Sequence, residues 1–113
     1  IPNNEGCTYS SDTAEEGSVL QLQRILNDKG AYLDEDGIAG EKTLTECRRY
    51  TIDLGDSGPL TRWVQARLNS VGFDCGTADG IAGERTMTAI HNFQQAHKLG
   101  VGYLEGGDWD ALI

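Results

Sequence analysis

The sequence predicts an all-α protein made of two tandem helix-loop-helix repeats, the second of which adds a third helical segment. Residues 36–41, DGIAGE, return unchanged as residues 79–84, and a threonine follows each copy two residues later. A duplication with a period of about 20–50 residues indicates a repeated supersecondary unit. Apolar residues recur at helical spacing around both copies, and no segment shows a convincing strand pattern. Because such short helices cannot bury enough surface alone, the two repeats are expected to share a core or pack closely.

Composition and charge indicate a globular protein without affinity for polyanions. Of the 113 residues, 38% are hydrophobic and 24% are charged. No apolar run approaches the roughly 18–20 residues that span a bilayer. The net charge is −9, and the longest basic cluster is the pair Arg48 and Arg49. Nucleic acids and anionic lipid surfaces attract clustered positive charge, so neither nucleic acid nor a membrane is an expected partner.

The N-terminal region and the cysteines leave several possibilities open. Residues 1–16 contain many turn formers and no apolar periodicity, so they are predicted to be a linker or tail. Because the chain opens with Ile1 instead of Met, it is expected to be part of a longer or processed polypeptide. The three cysteines lack CxxC spacing, so a structural zinc site is not expected. A disulfide could join Cys47 to Cys75, either could pair with Cys7, or all three could be reduced, so the compartment is not fixed.

Two helices are predicted in the first repeat. Ser18 and Gln21 fit a capping box at the start of the first helix, and Gly30 fits a left-handed cap at its end. The residues at helical spacing in this helix are Val19, Leu22, Ile25 and Leu26. A second helix is predicted from about residue 41 to residue 50, and its inward-facing residues are Leu44, Cys47 and Tyr50.

The second repeat is predicted to contain two helices and a final helical turn or two. Pro59 follows a turn-rich connector, residues 51–58, and suits a first helical turn, where its missing N–H would have no partner anyway. This helix is predicted to end at Gly72. Further helical segments are predicted at about residues 84–97 and 108–113. The apolar residues of the two longer helices are Leu60, Trp63, Val64, Leu68 and Val71, then Met87, Ile90, Phe93 and Ala96 or His97.

The duplicated segment, called the signature below, is predicted to be a turn that sets two helices against each other. Its glycines suit positive-φ or crowded backbone positions, and its aspartate suits an Asx turn. Ile38 and Ile81 are predicted to fill the apolar space between the helices. The hydroxyls of Thr43 and Thr86 are predicted to bond back to the loop.

Neither a metal site nor a catalytic site is expected. An EF-hand loop would require Asp at position 32 and Glu at position 43, where this chain has Tyr32 and Thr43. The duplicated carboxylates suit architecture better than an acid–base pair, which needs two unlike environments. No Cys or Ser lies in a nucleophile motif. No cofactor and no enzyme activity are therefore predicted.

Each repeat carries an extended motif around the signature. The first reads Val19-x-x-Leu22-Gln23-x-x-Leu26-x-x-x-Gly30, then Asp36-Gly37-Ile38-x-Gly40-x-x-Thr43. The second reads Val64-Gln65-x-x-Leu68-x-x-x-Gly72, then Asp79-Gly80-Ile81-x-Gly83-x-x-Thr86, and later Phe93-Gln94. Over about residues 17–113 these motifs resemble the peptidoglycan-binding domain of the type called PG_binding_1, arranged as in the cell-wall-binding region of clostridial-type endolysins and amidases. The first repeat departs from the family pattern because Tyr50-Thr51 replaces the Phe-Gln pair.

The resemblance implies a fold, a function and a location. Residues 17–55 would form the first repeat, and residues 56–113 would form a three-helix bundle. The implied function is a non-catalytic module that binds bacterial peptidoglycan and anchors an attached wall hydrolase. The implied location is the cell wall or the extracellular space, after secretion or phage release. Two alternatives stay open: a protein-interaction domain of the same fold, and a fragment with wall-hydrolase activity of its own.

Peptidoglycan combines N-acetyl sugars with short peptides that carry both signs of charge. Its recognition requires a groove with an aromatic face and a few polar partners. The ligand-binding candidates are Tyr32, Trp63 and Tyr103 for stacking and Gln65, Asp79, Arg85 and Asn92 for polar contacts. Trp63 could instead belong to the core, the role predicted for Phe73 and Trp109.

Overall fold

The computed structural model describes residues 16–113, and the regular secondary structure in this range is helical. Its helices are α1 (Val19–Asp28), α2 (Glu41–Cys47), α3 (Pro59–Ser70), α4 (Glu84–Ala96) and α5 (Asp108–Leu112). The predicted all-α class and all five predicted helical segments are confirmed. Within residues 16–113, no helix is both long enough and apolar enough to cross a membrane. Except for Glu16, the predicted tail lies outside the described residues, as does Cys7.

The start of α1 follows the predicted capping box with one change. Ser18 Oγ accepts a hydrogen bond from Gln21 N at 3.2 Å, as the motif requires. The Gln21 side chain reaches one residue further back than expected, because its Oε1 accepts from Gly17 N at 2.8 Å. The helix is followed by Gly30 at a φ of 105°, so the predicted left-handed end is confirmed.

One hydrophobic core joins residues 17–55 to residues 56–113, called the first and second repeat here because each contains one copy of the signature. Helix α1 packs against α3, α3 packs against α4, and α2 packs against α5. Buried residues from both repeats belong to a single cluster, as expected for helices too short to be stable alone. Trp63 and Trp109 lie in this cluster with ring centroids 6.4 Å apart.

Helix α5 also contacts the first repeat, a contact that the sequence did not predict. Trp109 Nε1 donates to the carbonyl oxygen of Tyr50 at 3.0 Å. Arg48 at the end of α2 forms an ion pair with Asp110, with 2.6 Å between Nη2 and Oδ2. The third helical segment of the second repeat therefore also covers the end of α2.

The connector between the repeats is bonded to the second repeat. Ile52 and Leu104 form an isolated antiparallel bridge. Gly55 N donates to the Ala82 carbonyl at 2.9 Å, and Ala82 N donates to the Asp56 carbonyl at 2.8 Å. These bonds attach the connector to Ala82, which precedes α4, and to Leu104, which follows it. The backbone of the connector is therefore held in place.

The isoleucines of the signature do not fill the space between the helices, so that prediction was wrong. Ile38 is 68% exposed and Ile81 is 57% exposed. In the second signature the following residue, Ala82, is buried instead. The reason is the tight turn: its backbone, held by internal hydrogen bonds, directs the isoleucine side chain outward and the alanine methyl inward.

Cys47 and Cys75 are buried free thiols. The disulfide that the sequence allowed between them is absent from the structure. The Cys75 thiol instead donates to the carbonyl oxygen of Gln65 at 3.3 Å. Burial raises the pKa of Cys47 to about 12 and also raises the pKa of Cys75. Both side chains therefore act as small apolar core residues at neutral pH.

We expect Gly80→Ala to lower the free energy of unfolding by about 1–2 kcal/mol. Gly80 has a φ of +83°, and an added Cβ would lie 3.4 Å from the Gly58 carbonyl oxygen. Gly100 provides the control, because it has no positive φ and an added Cβ would have no neighbour within 4 Å. Urea denaturation of both variants measures the difference; equal stabilities would contradict the strained-turn explanation.

Candidate functional site

The second signature is organised by the buried side chain of Gln65. Its Oε1 accepts from Gly80 N at 2.8 Å. Its Nε2 lies 3.2 Å from Asp79 Oδ1, 2.9 Å from the Ile81 carbonyl oxygen and 2.9 Å from Thr86 Oγ1. One amide of α3 thus satisfies the turn backbone, the turn carboxylate and the first turn of α4. The sequence predicted a direct bond from the Thr86 hydroxyl to the loop, but among the described residues Thr86 Oγ1 bonds to Gln65 instead.

The same arrangement occurs at the first signature and, in altered form, at the C-terminal end. Gln23 accepts from Gly37 N at 2.9 Å and donates to Asp36 at 3.0 Å. Gln94 of α4 accepts from Gly102 N at 3.1 Å and donates to Asp108 Oδ2 at 2.9 Å. Three buried glutamines therefore each fix the loop that follows their helix.

One carboxylate oxygen of each signature aspartate is used in its turn. Asp36 Oδ1 and Asp79 Oδ1 each accept from the backbone N–H of the isoleucine two residues on, at 2.9 Å, so the predicted Asx turns are confirmed. The hydrogen bond from Gln23 is the main cause that lowers the pKa of Asp36. For Asp79 the backbone bond from Ile81 comes first, and the bond from Gln65 adds to it. Both carboxylates stay ionised and structural near neutral pH.

We expect the lowered pKa of these aspartates to make stability dependent on acid pH. A carboxyl whose pKa is lower in the folded state contributes stability above its unfolded pKa, about 3.9, and loses it as the pH falls through the folded value. Urea midpoints measured from pH 5 to pH 2 should fall less steeply for Asp36→Asn/Asp79→Asn than for the unsubstituted chain. Asp34→Asn is the control, because Asp34 is exposed and makes no hydrogen bond with the described residues. A double variant with an unchanged slope would contradict the assignment.

Two of the residues predicted to contact the ligand are buried. Trp63 and Gln65 belong to the interior, and Trp63 Nε1 donates to the Ser18 carbonyl oxygen at 2.7 Å. Trp109 is also buried, and Phe73 is half-buried with its ring 5.7 Å from that of Phe93, so the core assignment of these two is confirmed.

The exposed candidates are distributed over several parts of the surface. Arg85 and Asn92 are on the exposed side of α4, and Arg85 faces Asp74 with 3.5 Å between Nη2 and Oδ2. Tyr32 is 99% exposed beside a cavity of 460 Å³ between the first loop and α2. Asp79 lines a small cavity of 250 Å³ together with Gln65 and Arg85, and it also borders a larger groove. The structure therefore brings Gln65, Asp79 and Arg85 together, whereas Tyr32 and Tyr103 line separate cavities, so the seven candidates do not form one site.

Tyr103 borders an open groove of 540 Å³, called the Tyr103 groove here. Its walls are the connector, the exposed side of α4 and the loop before α5. The lining residues are Asp53, Leu54, Glu84, Met87, Thr88, His91, Gly102 and Tyr103. The groove therefore combines an aromatic ring and two aliphatic side chains with a polar rim.

The backbone around Tyr103 is held by the interior. The Tyr103 carbonyl oxygen accepts from Gln94 Nε2 at 3.2 Å, and Gly102 N donates to the Oε1 of the same residue. Leu104, which follows, is buried and bridges to Ile52. The ring is 43% exposed, so one part packs on the protein while the remainder faces the groove.

The second large cavity, 810 Å³, lies where the two repeats meet and is called the inter-repeat groove here. Helix α1, the start of α3 and the second signature form its walls. Its charged lining residues are Glu16, Arg24, Asp28, Arg62 and Asp79. Its apolar lining includes Ile25, Pro59 and Ile81.

Tyr103 is the one residue of this groove that the sequence predicted as a ligand contact, and the other lining residues were not predicted. Met87 was assigned to the core face of α4, but it is only half-buried and lines the groove. His91 follows four residues later and lies on the same side of the helix. The groove could have been predicted from the i, i+4 pair Met87 and His91 on α4, together with the apolar Leu54 in the turn-rich connector.

Residues 57–107 match the family model described as "Putative peptidoglycan binding domain". No curated protein and no solved structure matches the chain at a significant level. The matched range includes α3, α4, the second signature and Tyr103, and ends immediately before α5. Over this range, the chain is similar to the peptidoglycan-binding domain family.

Proposed function

We propose that this chain is a non-catalytic module that binds bacterial peptidoglycan through the Tyr103 groove and anchors an attached wall hydrolase. The observation that supports it is the family match over residues 57–107, because this range contains most of the groove lining. The proposed location is accordingly the cell wall or the extracellular space. The proposed partners are the wall polymer and a hydrolase domain in the same polypeptide, such as an amidase or endolysin.

The composition of the groove favours a glycan ligand. The apolar face of a pyranose ring can pack on Tyr103, while Thr88, His91 and Glu84 on α4 are available for hydroxyl and acetamido groups. A protein-interaction domain would instead be indicated by a large exposed apolar patch. The exposed apolar surface of the Tyr103 groove is much smaller than such a patch, and this supports the glycan over a protein partner.

A weak binding site is useful when it is attached to a hydrolase. A groove this open excludes water incompletely, so its affinity for one sugar unit is expected to be modest. Attachment to a hydrolase converts each further encounter into an intramolecular event at high effective concentration. The proposed module would thus increase the time that the hydrolase spends on its substrate without taking part in the reaction.

The test is retention of the full chain on insoluble peptidoglycan sacculi stripped of teichoic acid. Tyr103→Ala should weaken retention by about tenfold, the expected loss for one aromatic contact of roughly 1.4 kcal/mol. Tyr32→Ala is the matched control, since that ring is 99% exposed and would have to be ordered at an entropic cost on binding.

Two outcomes would contradict the proposal. If the unsubstituted chain stays in the supernatant at high protein concentration and low salt, it does not bind the wall polymer. If Tyr32→Ala abolishes retention while Tyr103→Ala does not, the wall is bound elsewhere. Incubating the sacculi with the chain and measuring released soluble fragments checks that the chain lacks hydrolase activity of its own.

A further inference from the structure

The inter-repeat groove has a lining that differs in kind from that of the Tyr103 groove. At 810 Å³ it is within the size range of small-ligand sites. The charged side chains of the Tyr103 groove are two carboxylates, Asp53 and Glu84, whereas five charged side chains of both signs surround this one. The two grooves are therefore suited to chemically different ligands.

The charges of the inter-repeat groove are distributed over both repeats. Arg24 and Asp28 are one helical turn apart on α1, so their side chains lie on the same side of that helix. Arg62 stands across the groove on α3 and contacts Glu16 Oε1 through its Nε at 2.7 Å. Asp79 completes the lining from the second signature.

Two of the three carboxylates keep unused hydrogen-bonding capacity. The Asp28 carboxylate makes no hydrogen bond or ion pair with residues 16–113. Asp79 uses Oδ1 for its turn, and its Oδ2 has no partner in the same range. Arg62 Nε contacts Glu16, but this pair is exposed, at 60% and 44% for the two side chains, and such pairs exchange partners at little cost.

Apolar surface lies among these charged groups. Ile25 is one residue from Arg24 on α1, and Pro59 and Ile81 border the opposite side. Arg24 already pairs with Glu35, with 3.3 Å between Nε and Oε1. A ligand that complements the groove must therefore present an ammonium group to the carboxylates and a carboxylate to Arg62. The part of the ligand between these two groups should be small or aliphatic.

We propose that the inter-repeat groove binds a short zwitterionic peptide, and that its ligand is the peptide stem of peptidoglycan with a free diamino acid. The identity of the stem rests on the proposed function above. The free amino group of the diamino acid would face Asp28 and Asp79. A stem carboxylate would face Arg62, displacing Glu16. The aliphatic chain of the diamino acid would lie on Ile25.

The position of the groove is consistent with one wall strand reaching both sites. The Tyr103 groove is lined by connector residues Asp53 and Leu54. The inter-repeat groove is lined by Ser57 and Gly58, which follow in the same connector, and by Pro59 at the start of α3. The glycan and the peptide attached to it would thus lie on either side of one short backbone segment.

The experiment is a titration of the ¹⁵N-labelled full chain with two soluble probes, followed by NMR. The first probe is a synthetic tetrapeptide stem with a free diamino acid, prepared with lysine and with diaminopimelate. The second is a peptide-free oligomer of N-acetylglucosamine. The peptide should shift the amide signals of residues 24–28 and 57–62, and the sugar should shift those of residues 101–104.

Variants and salt test the charge complementarity. Asp28→Asn and Arg62→Gln should each weaken peptide binding by about tenfold, as expected for loss of one charge-assisted hydrogen bond. Asp34→Asn and Arg49→Gln are matched controls at exposed positions outside the groove. Because exposed charges are screened, the peptide affinity should fall between about 0.05 and 0.5 M salt. Acetylating the free amino group of the diamino acid should have an effect similar to Asp28→Asn.

Each result separates this inference from the proposed function. Sacculi retention that depends on Tyr103, without any peptide-induced shift at residues 24–28 up to millimolar concentration, would overturn the peptide site alone. Peptide binding unaffected by both groove variants would overturn it as well. If neither the sacculi nor the two probes bind, the proposed function fails together with it.

Discussion

Replacing Gln65 by methionine is expected to lower the free energy of unfolding by about 3–4 kcal/mol. Methionine preserves the approximate size of the side chain but cannot bond to Gly80 N, the Ile81 carbonyl oxygen or Asp79. Leaving a buried polar group without a partner costs about 1–3 kcal/mol. Of these groups, Gly80 N is the most enclosed, since Gly80 is buried and receives no compensation from water.

The repeat provides an internal comparison for this prediction. Gln23→Met removes the equivalent bonds, but Gly37 is exposed, so water can replace part of what is lost. We expect a cost of about 2 kcal/mol there. Gln95→Met on the exposed side of α4 is the control and should change stability by less than about 0.5 kcal/mol.

Urea denaturation monitored by circular dichroism measures these three variants. The expected order of destabilisation is Gln65→Met, then Gln23→Met, then Gln95→Met. If Gln65→Met does not fold, its unfolded spectrum in the absence of urea still supports the order. Equal stability of the Gln65 and Gln95 variants would show that the buried amide does not hold the turn.

Replacing Trp109 by alanine is expected to destabilise the chain by about 4 kcal/mol. Trp109 is fully buried, its ring lies 6.4 Å from that of Trp63, and its N–H bonds to the Tyr50 carbonyl oxygen. The substitution leaves a cavity in the core and removes the partner of that carbonyl. Because domains of this size have a total stability of about 5–15 kcal/mol, the loss is a large fraction of it.

A comparison with Arg48 separates packing from charge in the attachment of α5. The ion pair between Arg48 and Asp110 joins the same elements, but both side chains are more than one-third exposed. Arg48→Gln should therefore cost less than about 1 kcal/mol. Thermal unfolding of Trp109→Ala, followed separately by fluorescence of Trp63 and by helical circular dichroism, should give one transition. Two transitions would mean that the repeats unfold separately once the Trp109 contacts are lost. A loss of stability in Trp109→Ala no larger than that in Arg48→Gln would contradict attachment of α5 by packing.

The helices could be predicted because their signals are local. Capping at Ser18, Pro59 at a first turn and apolar residues at helical spacing depend on the nearby chain only. The partner of α5 could not be predicted, because an apolar stripe indicates that a face is buried and not which helix covers it. The outward direction of Ile38 and Ile81 depends on turn geometry, which hydrophobicity alone does not encode.

The candidate site was harder to predict than the fold. Trp63 and Gln65 were considered for ligand contact because aromatic and amide groups suit a glycan, yet the interior uses both. A local signal was present for the glutamine: an apolar residue precedes Gln23, Gln65 and Gln94 alike. A polar residue that recurs beside the apolar stripe is typical of a buried structural role. Tyr103 lacks such a pattern, and only the fold places it beside Leu54.

The hydrogen bonds of the connector have a consequence for the proposed binding of the wall. Because its backbone is held by the second signature and by Leu104, the two grooves beside it stay at a fixed separation. When one wall strand occupies both grooves, the connector does not have to be ordered. The second contact would therefore form at a lower entropic cost than if a flexible linker joined the two grooves. The fixed distance between the grooves would then favour polymers in which the distance from a sugar to a charged side branch equals the distance between the two grooves.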